Sequence, residues 1–235
     1  MSRIGDVERT TKETKIKLTL NLDGEGKGDI ATGIGFFDHM LGSFARHGFF
    51  DLKVQADGDL NVDTHHTVED VGIVLGTALK EALGDKKSIR RFGSCILPMD
   101  DALVLCAVDL SGRPYFSCDT EFTVERVGKL ETETVREFFY ALSYSAGMNL
   151  HFKKLSGDNN HHVIEGMFKA LGRALRDFAK RDQVVVATKF LPRTNEEIEA
   201  GISGQEHIRR MVDKSLQNLG MDHVDLYIYH MWDYQ

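Results

Sequence analysis

His65-His66-Thr67-Val68-Glu69 recurs 96 residues later as His161-His162-Val163-Ile164-Glu165, and the register continues beyond the cluster. Leu75-Gly76 answers to Leu171-Gly172, Ala78-Leu79 to Ala174-Leu175, and Lys80-Glu81 to Arg176-Asp177. Such a repeat constrains the fold: one unit is built twice, and each copy carries two imidazoles and a carboxylate. On an α-helix, residues four apart differ by about 40° in direction and neighbours by about 100°. His65 and Glu69 can therefore grip one ion from a single face, and so can His161 and Glu165. His66 and His162 point elsewhere, towards a second ion. Imidazole with carboxylate suits Mn, Fe, Co, Ni or Zn, and the absence of cysteine nearby argues against a structural zinc–thiolate site.

Around these clusters the periodicity predicts an α+β fold. Residues 14–22 alternate polar and apolar like a half-buried strand, 24–28 form a glycine-rich turn, and a short strand follows to about Thr32. A helix is predicted over 36–47, ended by Gly48, and a strand over 50–55. Asp63 or Thr64 is placed to cap the next helix, and Gly84 to end it in the left-handed conformation. The second half repeats the order: strands at 93–97, 103–110 and 114–118, a helix over 131–146, a strand over 150–155 and a helix over 161–181. Asn159 or Asn160 takes the capping place there. The reading is an internally duplicated strand–helix–strand–helix unit, with halves of about 1–90 and 91–181.

Beyond Lys180 the texture changes. Val184-Val185-Val186 reads as an apolar strand, 195–204 as a polar loop, 206–219 as an amphipathic helix and 224–229 as a strand. That β–loop–α–β order predicts a parallel crossover unit over 182–235, separate from the repeat.

A formal net charge of −7 argues against a protein that coats nucleic-acid phosphates, which needs a basic face. Cys95, Cys106 and Cys118 have no CxxC spacing, so free thiols in a reducing compartment are expected. No apolar run approaches a membrane span and residues 1–23 are polar, which predicts a cytoplasmic chain without membrane contact.

His39 and His151 lie well for ligation and bring the candidate ligands to eight, enough for four protein groups on each of two ions. Arg91 and Arg113 suit bidentate capture of phosphate, Arg113 from the turn Ser111-Gly112-Arg113-Pro114. Lys86, Lys87 and Arg90 read as a solvated charge run, His47 as an ordinary helix end, and His207 and His223 as surface residues. Arg9, Lys12 and Glu13 form a charged stretch ahead of the first expected strand.

Gly33-Ile34-Gly35-Phe36-Phe37-Asp38-His39-Met40-Leu41, Asp63-Thr64-His65-His66-Thr67-Val68-Glu69-Asp70, Pro98-Met99-Asp100, Asp109-Leu110-Ser111-Gly112-Arg113-Pro114 and the second His-His-x-x-Glu, with Arg9 and Glu13-Thr14 before them, resemble imidazoleglycerol-phosphate dehydratases over about residues 3–181. The resemblance implies a ribosomal S5 domain 2-like fold and a hydro-lyase of histidine biosynthesis. It implies two Mn ions per site, at subunit interfaces of a shell of twenty-four copies. By motif, the ligands are His39, His65, His66, Glu69, His151, His161, His162 and Glu165. The substrate is a small phosphorylated imidazole, met by Glu13, His39, His65, Arg91 and Arg113. Glu13, His66, Glu69, His162 and Glu165 are implied in the chemistry, with Glu13 moving protons.

The family's Pro-Ser-Thr-Lys-Gly-like ending is replaced here. Ala187-Thr188-Lys189 and Val224-Asp225-Leu226-Tyr227…His230 resemble part of an aldo-keto reductase barrel, whose catalytic lysine and histidine would be Lys189 and His230. Two strands and a helix cannot close a barrel. Lys189 also stands where the family's tail offers a lysine to the substrate phosphate. Two alternatives follow from the residues: a two-metal hydrolase on the same platform, and a metal-binding assembly inactivated by the changed tail.

Overall fold

A computed structural model describes residues 3–87, 89–179, 187–220, 224 and 226–229. The chain forms two compact units, Met1–Asp182 and Gln183–Gln235.

The first unit carries two four-stranded sheets. One holds β1 (Ile4–Thr10), β2 (Thr14–Asn21), β3 (Gly28–Ala31) and β4 (Asp51–Gly58) in the order β1-β2-β4-β3. The other holds β5 (Phe92–Met99), β6 (Ala102–Asp109), β7 (Tyr115–Asp119) and β10 (Asn149–Ser156) in the order β5-β6-β10-β7. A minor ladder joins β8 (Arg126–Val127) to β9 (Leu130–Glu131). In each large sheet the last strand inserts between earlier ones, antiparallel to β2 or β6 and parallel to β3 or β7. A parallel neighbour needs a crossover. It is supplied by α1 (Gly35–Gly48) in the first sheet and α3 (Thr132–Ala146) in the second. After each inserted strand comes a long helix, α2 (His65–Leu83) or α4 (Asn160–Ala179), which opens with a His-His-x-x-Glu cluster.

Alternation builds the sheets: Ile16, Leu18 and Leu20 of β2 are buried while Lys15 and Lys17 face out. The helices meet in cross pairs, α2 with α3 and α1 with α4. Phe37, Phe138 and Phe168 knot them together, with Phe138 stacked on Phe168 at 5.1 Å and edge-on to Phe37 at 5.3 Å. The helices approach closely because glycine faces backbone. A Cβ on Gly76 would lie 2.5 Å from the Leu142 carbonyl oxygen, and one on Gly172 2.5 Å from that of Phe44. These are the register-matched glycines of the repeat, so their recurrence has a packing cause.

Several expectations change. The stretch bearing Arg9 is a strand, β1, rather than a lead-in; as a sheet edge it buries few apolar side chains and leaves little alternation to read. Gly48 ends α1, but the left-handed cap is Phe49 (φ 54°), whose ring lies 4.0 Å beneath the Arg176 guanidinium. Gly84 has a positive φ of 54° but a ψ of −130°, outside the left-handed helical well. Asp63 accepts the His65 N–H at 2.8 Å, and Asn159 that of His161 at 3.0 Å. Thr64 instead donates to the Glu131 carboxylate. Lys86 is half-buried rather than solvated and donates to the Leu110 carbonyl.

In the second unit, β11 (Ala187–Phe190) and β12 (Leu226–Tyr229) pair in parallel, with α6 (Gly204–Leu219) between them in sequence. The expected polar loop contains a short helix, α5 (Asn195–Glu199), closed by a reciprocal cap between Thr194 and Glu197. His207 is buried rather than at the surface, with Nε2 2.8 Å from the Leu191 carbonyl oxygen. Val184–Val186, His223 and His230 lie outside the described residues.

Gly76→Ala is expected to destabilise the chain by about 1–3 kcal/mol through overpacking. Gly42→Ala, with open space around its Cβ, should stabilise α1 by up to about 1 kcal/mol; denaturant titrations of the two variants check both. A pH effect follows from Asp51, whose carboxylate accepts the N–H groups of Lys27 (3.0 Å) and Glu25 (2.9 Å) across the β2–β3 turn. Those bonds, the Lys27 one foremost, hold its pKa below the usual carboxylate range. A lowered folded pKa stabilises above the unfolded value and loses that contribution as pH falls through the folded one. Asp51→Ala should therefore lower Tm at neutral pH, and the gap to wild type should close in acid.

Candidate metal centre

α1 and α4 pack side by side, and their contact brings His39 of α1 over the first turn of α4. The Nε2 of His161 lies 3.2 Å from one Glu165 oxygen, and the Nε2 of His39 lies 3.7 Å from the other. One ligand atom from each of the three residues falls within 4.8 Å of the others, the span of a single ion's coordination shell. Among the described residues this is the only such convergence of three or more histidine, cysteine, aspartate or glutamate side chains. Phe36 closes one side, its ring 4.9 Å from that of His161.

Glu165 is only 6% exposed. Burial pushes its pKa up, but the Lys169 ammonium 2.7 Å away, with His39 and His161, outweighs this and holds the carboxyl below its usual value. The site therefore presents an anionic oxygen beside two imidazoles. Nearby His47 is half-buried, and its pKa is lowered by burial and then by the charges of Lys169 and Arg173.

The first-half cluster is looser. His65 Nε2 stands 3.9 Å from Glu69 Oε2, at the open start of α2. His66 turns its Nδ1 to Asp59 Oδ2 at 2.9 Å, and that hydrogen bond raises its pKa. Glu13, exposed in the β1–β2 turn, adds to the same effect and so stands within electrostatic reach of His66. The turn is pinned to α2 by Asp70, which takes Arg9 on one oxygen at 2.9 Å and the Thr14 hydroxyl on the other.

His162 likewise turns Nδ1 to an aspartate, Asp101, at 2.6 Å, while its Nε2 is 3.4 Å from Asp100. The His162 bond, with the N–H groups of Asn159 and Asp158, draws the Asp101 pKa well below the carboxylate range. His151 sits exposed on β10 with its ring 5.4 Å from Tyr115. Arg91 forms a two-bond pair with Asp109 at 2.7 and 3.0 Å, and Arg113 is exposed in its turn. Lys189 is exposed on β11 of the second unit.

One chain thus gathers three of the eight expected ligands into a site and leaves the rest on other parts of its surface. Sequence reasoning missed Asp59, Asp101 and Lys169. Lys169 was legible, four residues beyond Glu165 on one helix face. The bond from Asp101 to His162 spans 61 residues, with no local periodicity to announce it.

The α+β scaffold brings two imidazoles and a carboxylate together from two packed helices, a candidate cation site. The family model of imidazoleglycerol-phosphate dehydratase matches residues 32–175, and that of the aldo/keto reductase family matches residues 168–235. Imidazoleglycerol-phosphate dehydratase of Lachnoclostridium phytofermentans is 59% identical over 192 residues, covering 80% of this chain and 98% of that protein. The enzyme of that name from Acetivibrio thermocellus matches with the same identity and coverage. Among solved structures, imidazoleglycerol-phosphate dehydratase of Staphylococcus aureus superposes with a TM-score of 0.68 at 39% identity, covering 74% of this chain and 97% of that one. The Pyrococcus furiosus protein, solved with (S)-C348, gives 0.67 at 41% identity, covering 75% and 95%. The chain belongs to the imidazoleglycerol-phosphate dehydratase family. Since 80% of 235 residues is about 188, the alignment to the Lachnoclostridium protein is longer than the 182 residues of the first unit and runs into the second.

Proposed function

We propose that the chain dehydrates D-erythro-imidazole glycerol phosphate to imidazole acetol phosphate in histidine biosynthesis, as a metal-dependent carbon–oxygen lyase. The observation that carries the reading is 59% identity across 98% of a curated dehydratase, together with the His39–His161–Glu165 cluster. The donor set fits the group: two imidazole nitrogens and one carboxylate suit manganese and its neighbours.

His39, His161 and Glu165 hold one of two ions, and His65, His66, Glu69, His151 and His162 supply the remaining ligands from a neighbouring copy. That division is supported by the single cluster found among the described residues, which leaves His65 and Glu69 on an open helix start. Bound metal would contribute Lewis acidity and a template for the imidazole ring. Glu13 moves protons at the reacting carbon and hydroxyl, from its place within electrostatic reach of His66. Arg91 and Arg113 take the phosphate; Arg91 uses Nε and Nη2 on Asp109 and keeps Nη1 for it. The assembly is a cytoplasmic homo-oligomer, a shell of twenty-four copies.

The chain is read as an internally duplicated unit followed by a fragment of an aldo-keto reductase-like barrel. The common strand order of the two large sheets and the parallel β11–β12 pair support this. Lys189 replaces the phosphate-binding lysine of the family's tail, a reading supported by an alignment that runs beyond residue 182.

Full-length chain supplied with Mn should convert the substrate to imidazole acetol phosphate. Mn uptake with no turnover would overturn the proposal in favour of an inert assembly, and bond cleavage in place of dehydration would mark a hydrolase. Glu13→Gln should cut kcat by about 10²-fold or more at unchanged metal content. Lys189→Ala should raise KM with little change in kcat, and an unchanged KM removes that residue from the phosphate site.

A further inference from the structure

We propose that Asp59 and Asp101 are positioning residues of the metal centre: each holds Nδ1 of its repeat's second histidine and leaves Nε2 to face an ion. The inference rests on the reading of His66 and His162 as ligands.

Both contacts are within hydrogen-bond range, 2.9 Å for His66 Nδ1 to Asp59 Oδ2 and 2.6 Å for His162 Nδ1 to Asp101 Oδ1. The two acids come from unlike places. Asp59 follows β4, where the inserted strand of the first sheet ends, whereas Asp101 lies in the two-residue turn between β5 and β6. A contact inherited passively with the repeat would use corresponding positions in both halves. Here two different backbone sites deliver a carboxylate to the same ring nitrogen.

The Asp101 carboxylate is itself held. The second oxygen of Asp101 accepts the N–H groups of Asp158 (2.8 Å) and Asn159 (3.0 Å), which lie just ahead of α4. Asp59 is fixed through its backbone, whose carbonyl accepts the Val62 N–H, while its second carboxylate oxygen is buried without a hydrogen-bond partner among the described residues. Asp100 does not compete for His162: its oxygen is 3.4 Å from Nε2, beyond the usual hydrogen-bond range, on a largely exposed side chain.

An ionised carboxylate only accepts, so the ring nitrogen it faces carries the hydrogen, and the other nitrogen keeps a free lone pair. Three of the four remaining candidate imidazoles, all but His151, point the same way. His39, His65 and His161 each turn Nε2 towards the carboxylate of their cluster. The five imidazoles thus offer one nitrogen type to the centre, and the carboxylate behind a ligand ring raises its basicity and fixes its plane.

The test uses full-length chain labelled with 15N-histidine and stripped of metal. Long-range 1H–15N spectra should show His66 and His162 as Nδ1–H, and free Mn counted by electron paramagnetic resonance gives the affinity. Asp59→Ala should release the His66 tautomer and weaken Mn binding by about 10–100-fold. Asp101→Asn keeps an oxygen for the loop N–H groups but presents an amide donor to His162. It should reverse the His162 tautomer and cost a similar factor at unchanged Tm. Asp119→Ala, remote from the clusters on β7, should change neither readout. Nε2–H rings in the wild-type chain, or wild-type Mn affinity in both variants, overturns the inference. A wild-type chain with the expected Nδ1–H rings that takes up no Mn overturns the metal reading, and the role assigned here falls with it.

Discussion

A carboxylate shut away from water survives as an anion only if partners replace its hydration. Glu165 meets that requirement on both oxygens: Lys169 from its own helix and His39 from α1 flank one, and His161 the other. Much of the first unit serves this arrangement. His39 arrives only because α1 lies close along α4, and α1 lies close because Gly172 presents no side chain to the Phe44 carbonyl. The aromatic knot of Phe37, Phe138 and Phe168 then fixes the helices in register. Chemistry at the rim and packing at the centre are therefore one construction.

The same logic explains why the two halves differ. α2 packs on α3 as α4 packs on α1, and Gly76 does for one pair what Gly172 does for the other. At its start, however, α2 meets no counterpart of His39. Glu131, at the head of α3, is spent on the Thr64 hydroxyl and N–H and on Arg126. Glu69 is left open to solvent with His65, a half-built ligand set on a rigid helix end. The two halves thus differ at their helix starts: one gathers His39, His161 and Glu165, and the other leaves His65 and Glu69 facing outward.

What the sequence disclosed follows from the range of each interaction. The helices carrying His65 and His161 and the strand β2 rest on spacing within a few residues, and all were legible. β1 was not, because its inward positions are Gly5, Val7 and Arg9, with a single sizeable apolar side chain among them to mark the alternation. The cap Phe49 was hidden because a left-handed cap is ordinarily glycine, and here a stacked guanidinium keeps an aromatic ring in that place. The ligands were readable by type, but their grouping was not: His39 and Glu165 are 126 residues apart in sequence, and only helix packing decides which imidazole meets which carboxylate. Asp59 and Asp101 lie at the same limit.

The second unit shows the opposite balance. Its local order is complete: Thr194 and Glu197 cap one helix, Ser203 caps another, and His207 fills an interior place against the Leu191 carbonyl. Its long-range order is thin. β11 and β12 pair only with each other among the described residues, and Leu226, Ile228 and Tyr229 remain exposed on the strand. A parallel pair ordinarily sits inside a sheet covered on both faces. Capping is satisfied by residues a few positions apart, whereas burying a strand needs partners that the described residues of this unit do not supply to β12.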